Sequence, residues 1–167
     1  MFPQKKEKWV KKWVDSVLST YPPESALLFN NTTDPFANPV GATLKTSLSN
    51  LYDSLTASQF NTNNAKQALQ PVVKLRAVQD FSPAKALGFI YELKTIINSD
   101  PDISHEMTTD VFSRIDQAML MAFDLYMENK KIIYTLRANQ ARDNVRQLLI
   151  RKDLICELPE IDPELKK

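Results

Sequence analysis

The 167-residue sequence predicts an all-α protein: a single helical bundle or globin-like domain of about six helices with a long C-terminal helix. Three observations lead there. Apolar residues recur at intervals of three and four along most of the chain, the period of a helix with one buried face. Glycine is confined to Gly41 and Gly88, so the raw material of tight β-turns is missing. The ten prolines fall mostly between the apolar-periodic segments, where helices begin and end. The division expected is a helical domain over residues 1–152 and an extended tail over residues 153–167, with two prolines and several acids.

The first helix is expected over residues 4–20. Trp9, Val10, Trp13, Val14, Val17 and Leu18 make a broad apolar face, with Lys5, Lys8, Lys11 and Lys12 turned away from it. Such a basic amphipathic helix can lie on a membrane or a partner, or it can dock its two tryptophans into the domain. The ordinary amphipathic pattern favours docking. Tyr21-Pro22-Pro23 ends the helix, residues 24–29 allow a short second one, and a polar loop follows.

At Asn38-Pro39-Val40-Gly41 a third helix opens, with Asn38 as cap, Pro39 in the first turn and Gly41 able to let another backbone come close. Phe36 is placed to staple the entry. Val40, Leu44, Leu48, Leu51, Tyr52 and Leu55 form its stripe. The fourth helix buries Ala65, Ala68, Leu69, Val72 and Val73, and Pro71 predicts a kink or a fresh start within it. Ser82 caps and Pro83 opens a fifth helix to residue 98, with Ala86, Phe89, Ile90, Leu93, Ile96 and Ile97 inward.

From about residue 108 to 152 there is neither glycine nor proline, enough for one helix of about 65 Å. A domain of this size is only about 30 to 40 Å across, so the helix bends or outruns its core. Val111, Phe112, Ile115, Ala118, Met119, Ala122, Phe123, Tyr126, Ile133 and Leu136 keep one phase. Apolar residues then resume on a rotated face at Ala141, Val145, Leu148 and Leu149, the candidate partner or dimer surface.

Composition excludes several classes of function. Net charge is +1, which gives no general pull toward nucleic acid or anionic lipid. The basic run over residues 130–152 lacks the interleaved aromatics of a nucleic-acid platform. Cys156 is the sole cysteine and sits beside Glu157 with no basic neighbour, so neither a disulfide nor a reactive thiol is expected. No segment is apolar enough to span a bilayer, and a cytoplasmic location is expected. His105, the only histidine, lies at the start of the long helix, poorly placed for haem. Asp116 and Asp124 point away from each other. With no metal-ligand spacing and no nucleophile motif, neither catalysis nor a cofactor is expected.

One polar group stands out. Continuing the fourth helix's period brings Arg76, Gln79 and Asp80 onto its buried face, with Arg76 and Asp80 spaced to pair along the helix. This group is either a structural network at the turn into Ser82-Pro83 or an internal site for an anion or small molecule.

Arg76-Ala77-Val78-Gln79-Asp80-Phe81-Ser82-Pro83, with Ala86, Phe89, Leu93 and Lys94 after it, resembles the N-terminal domain of the RsbT co-antagonist RsbRD family. The likeness extends to Asn38-Pro39-Val40-Gly41 and to Phe123-Asp124-Leu125-Tyr126 leading to Ile133-Tyr134. The resemblance implies a sensory, non-enzymatic helical domain of stressosome type that forms homodimers and passes a signal through a terminal helix to a partner protein. In that family the domain usually precedes a STAS output domain. None is found before Lys167, which implies a stand-alone sensor. An adaptor or accessory subunit of a cytoplasmic or membrane-associated enzyme complex is the alternative, making contact through the Trp9/Trp13 helix or the tail.

Overall fold

Trp9 and Trp13 lie one turn apart on the first helix, and both are wholly buried. Burying two large rings contributes roughly 1.5 to 3 kcal/mol each, enough to decide which face of that helix turns inward. The structure, a computed structural model, describes residues 2–31, 34, 36–79 and 81–152, apart from the side chains at 30, 31, 105 and 107. Among these residues there are seven helices and no strand: α1 (Phe2–Ser19), α2 (Pro23–Asn31), α3 (Pro39–Thr56), α4 (Thr62–Val78), α5 (Pro83–Leu87), α6 (Phe89–Asn98) and α7 (His105–Arg151). The chain divides into two compact units, residues 1–130 and 131–167.

In the first unit α1 packs on α3 and α6, and α3 packs on α4. Trp9 meets Tyr52 edge to face, and Trp13 donates its indole N–H to the Phe89 carbonyl at 2.6 Å. The burial of a large aromatic is thus combined with satisfaction of its one donor. Leu44, Leu48, Leu51 and Leu55 of α3, Leu69 and Val73 of α4, and Ile90, Leu93 and Ile97 of α6 complete the interior. The tryptophan helix docks, and its membrane-lying alternative is not what the geometry shows.

Asn38 accepts from the Gly41 amide at 2.8 Å and donates its own amide to the Phe29 carbonyl of α2 at the same distance. One side chain therefore caps α3 and ties α2 to it. A Cβ at position 41 would sit 2.5 Å from the Phe29 carbonyl oxygen, so the approach requires glycine. Phe36 is no staple: it is 97% exposed, and the helix opens on Pro39 and the Asn38 cap.

α4 runs unbroken through Pro71, with no fresh start. Gln67, whose carbonyl loses the amide that Pro71 lacks, is exposed, so water can replace the missing bond. The fifth helix of the sequence reading is two, α5 and α6, divided at Gly88, although every side chain expected to face inward from residues 83–98 is buried.

The first half of α7 buries Val111, Ile115, Ala118, Ala122, Leu125 and Tyr126. Lys94 on α6 donates to Asp116 at 2.6 Å, and Arg114 donates to the Leu55 carbonyl at 3.1 Å and to that of Ala57. The inward face is rotated from the expected one: Leu125 is buried, and Phe123 is half exposed. In the second unit the helix continues to Arg151. Its side chains are mostly exposed, with Ile133, Leu149 and Ile150 half-buried and Leu136 exposed. The tail expected over 153–167, including Cys156, lies outside the described residues.

Candidate functional site

Arg76 sits in the last turn of α4 and is completely buried. Its Nε donates to the Ala86 carbonyl at 2.8 Å, Nη2 to the Lys85 carbonyl at 2.7 Å and Nη1 to the Thr20 hydroxyl at 3.2 Å. The last carbonyls of a helix have no partner within it, and the guanidinium supplies one for two of those at the end of α5. Phe81, Tyr21 and Phe89 surround the charge, with ring centres 4.8, 5.6 and 5.9 Å from the guanidinium carbon. Burial lowers the Arg76 pKa, and no ion pair to Arg76 forms among the described residues.

Gln79 makes no hydrogen bond to Arg76 among the described residues. α4 ends at Val78, and Gln79 follows in extended conformation (φ −75°, ψ 154°), so the helical four-residue spacing is lost. Among the described residues Gln79 Oε1 is buried without a hydrogen-bond partner. Asp80 lies outside the described residues.

A second polar centre was not anticipated. Asp100, in the turn after α6, is 5% exposed and accepts from Lys5 Nζ at 2.8 Å, Trp9 Nε1 at 3.1 Å and Lys8 Nζ at 3.3 Å. The Lys5 ammonium, helped by the Trp9 indole, the Asp102 amide and Lys8, holds the Asp100 carboxyl well below the usual carboxylate range against the opposing effect of burial. Lys5, raised in turn chiefly by Asp100, also reaches Asp102 at 2.6 Å. Lys5 and Lys8 thus fasten α1 to the turn before α7 and do not simply face solvent. The sequence signal was available, since a tryptophan with a buried N–H must find an acceptor.

The candidate partner surface is open. Ala141, Val145 and Leu148 are exposed and Leu149 is half-buried. Leu120, Phe123, Met127 and Tyr134 on α7 are also between 49% and 70% exposed. Large apolar groups so grouped on one helix mark an interaction surface more often than chance exposure does. Trp9 and Trp13 offer no such surface, being wholly enclosed. Asp116 is taken by Lys94, and Asp124 is exposed. Among the described residues no group of His, Cys, Asp and Glu could hold a metal, and no helix is long and apolar enough to cross a membrane. The side chain of His105 lies outside the description.

These features define a helical domain whose inward polar groups hold helices together and whose last helix keeps an uncovered apolar face. The chain belongs to the family of the RsbT co-antagonist protein rsbRD N-terminal domain, whose model matches residues 7–141. Neither the curated proteins nor the solved structures gave a match.

Proposed function

We propose that this chain is a non-catalytic regulatory and sensory domain that forms a homodimer through α7 and passes a signal to a partner protein by direct contact. The observation that carries the reading is the uncovered apolar face of α7, set against the filled interior of residues 2–130. Family membership supports the regulatory part, the family being described by its place in co-antagonists of RsbT. Arg76 acts here as a clamp on α5, since its donors end on the chain's own carbonyls and its surface is closed to an incoming anion or small molecule. The reading places the domain in the cytoplasm. The adaptor reading loses one of its two contacts, because the Trp9/Trp13 face is occupied by the domain's own core.

Sedimentation velocity tests the association. The intact chain is expected to sediment as a dimer, and a version lacking residues 138–167 as a folded monomer. Equal sedimentation of both as monomers, or of both as dimers, would remove α7 from the account.

A further inference from the structure

Within the first unit, the outer face of α7 carries Leu120, Phe123 and Met127, which are exposed and follow one another at intervals of three and four residues. At about 3.6 residues per turn they fall on one stripe, turned away from the buried Ala118, Ala122 and Leu125. Toward the start of α7 the stripe continues through Asp116 to Phe112. There Lys94 of α6 holds Asp116 at 2.6 Å and lies 5.4 Å from the Phe112 ring and 5.9 Å from the Tyr91 ring. Tyr91 is exposed as well, so α6 widens the patch. Aromatic residues and methionine are enriched where proteins meet.

Charge decides what can cover this patch. Asp124 and Glu128, four residues apart, run along its flank; both are exposed, and neither forms an ion pair among the described residues. The neighbouring cations of the first unit are engaged: Lys94 by Asp116, Arg114 by Asp110, and the half-buried Lys130 over the Tyr126 ring at 5.5 Å. The bases from Lys131 onward belong to the second unit. The patch is therefore apolar with an unanswered negative edge. Nucleic acid and anionic lipid would meet like charge there, and a second copy brings the same acids to this face. A helix with an apolar face and flanking lysines or arginines answers both features, burying that face on the stripe and pairing its cations with Asp124 and Glu128.

We propose that Leu120, Phe123 and Met127, with Asp124 and Glu128 beside them, form the docking face for a basic amphipathic helix of the partner protein. The inference rests on the partner-contacting reading above, and it names the surface and the chemistry of the partner that the reading left open. It is separate from the C-terminal residues through which two copies join. Methionine adapts its unbranched side chain to what it meets, so Met127, with the half-buried Met119 nearby on the helix, suits a face that receives a helix from another protein.

Calorimetric titration of the full chain with two short synthetic peptides tests it. One is built of leucine and lysine with the leucines spaced three and four apart; in the other every lysine is replaced by glutamate. The lysine peptide is expected to bind, with a shift of the Met127 methyl resonance, and the glutamate peptide is not. Phe123→Ala/Met127→Ala should weaken binding of the lysine peptide by about tenfold or more. Asp124→Lys/Glu128→Lys, with unchanged far-ultraviolet dichroism, should turn the preference to the glutamate peptide. No binding of the lysine peptide, equal binding of both peptides, or binding that these variants leave unchanged overturns the inference. Sedimentation of the same samples keeps the two readings apart. A chain that sediments as a dimer and ignores the lysine peptide loses the docking face alone, whereas a monomer that binds it as expected loses the dimer and keeps the docking face.

Discussion

Asp100 shows how one residue can organise a long stretch of chain. It is the nearly buried acceptor for the Trp9 indole and the Lys5 ammonium, so the largest core side chain of α1 and a flanking charge are satisfied by one carboxylate. Removing its charge leaves Lys5 with Asp102 alone and weakens the fit of Trp9. Because the folded-state pKa lies below the unfolded value of 3.8, its contribution is fully present above that value and is lost as pH falls through the acid range beneath it. Urea unfolding of the chain and of Asp100→Asn should therefore show the variant less stable at pH 6, with the gap narrowing below about pH 4. A gap that stays constant with pH would mean that the carboxylate's charge is not what matters. The sequence had shown Trp9 as a core residue. It had not shown Asp100, because a residue in a proline turn carries no periodicity that reveals which distant donors reach it.

Elements were legible wherever caps and apolar spacing agreed. Asn38 with Pro39 and Ser82 with Pro83 open α3 and α5 as read, with side-chain bonds to the Gly41 and Lys85 amides. The division between α5 and α6 was not read, although Gly88 marked it, since the apolar pattern continues in phase across the break. What the pattern could not contain is the Arg76 guanidinium taking the Lys85 and Ala86 carbonyls from a neighbouring helix. Arg76→Ala should cost about 2 to 4 kcal/mol, as two buried carbonyls lose their donor and a cavity opens. Denaturant unfolding measures the loss, and amide exchange should rise first over residues 84–88. A melting temperature equal to that of the unaltered chain would mean that Arg76 does not hold this corner. The period was extended two residues beyond the end of α4, so Gln79 does not continue the helical face on which Arg76 sits.

For the molecule as a whole, composition gave the fold class at once, and glycine scarcity with helical spacing was enough for it. Which face of α7 is inward was harder. Two apolar stripes share that helix, and periodicity alone does not say which belongs to the core, so Phe123 was assigned inward where Leu125 is the buried residue. The same ambiguity hid the exposure of Leu120 and Met127 in the first half of the helix. The central claim is that the apolar residues in the C-terminal part of α7, Val145 and Leu148 among them, join two copies. Sedimentation equilibrium of the Val145→Glu/Leu148→Glu double variant beside the unaltered chain tests it most directly. The mass of two chains for the unaltered protein and of one for the variant, with the same far-ultraviolet dichroism, is the predicted result; a variant that keeps the mass of two would contradict it.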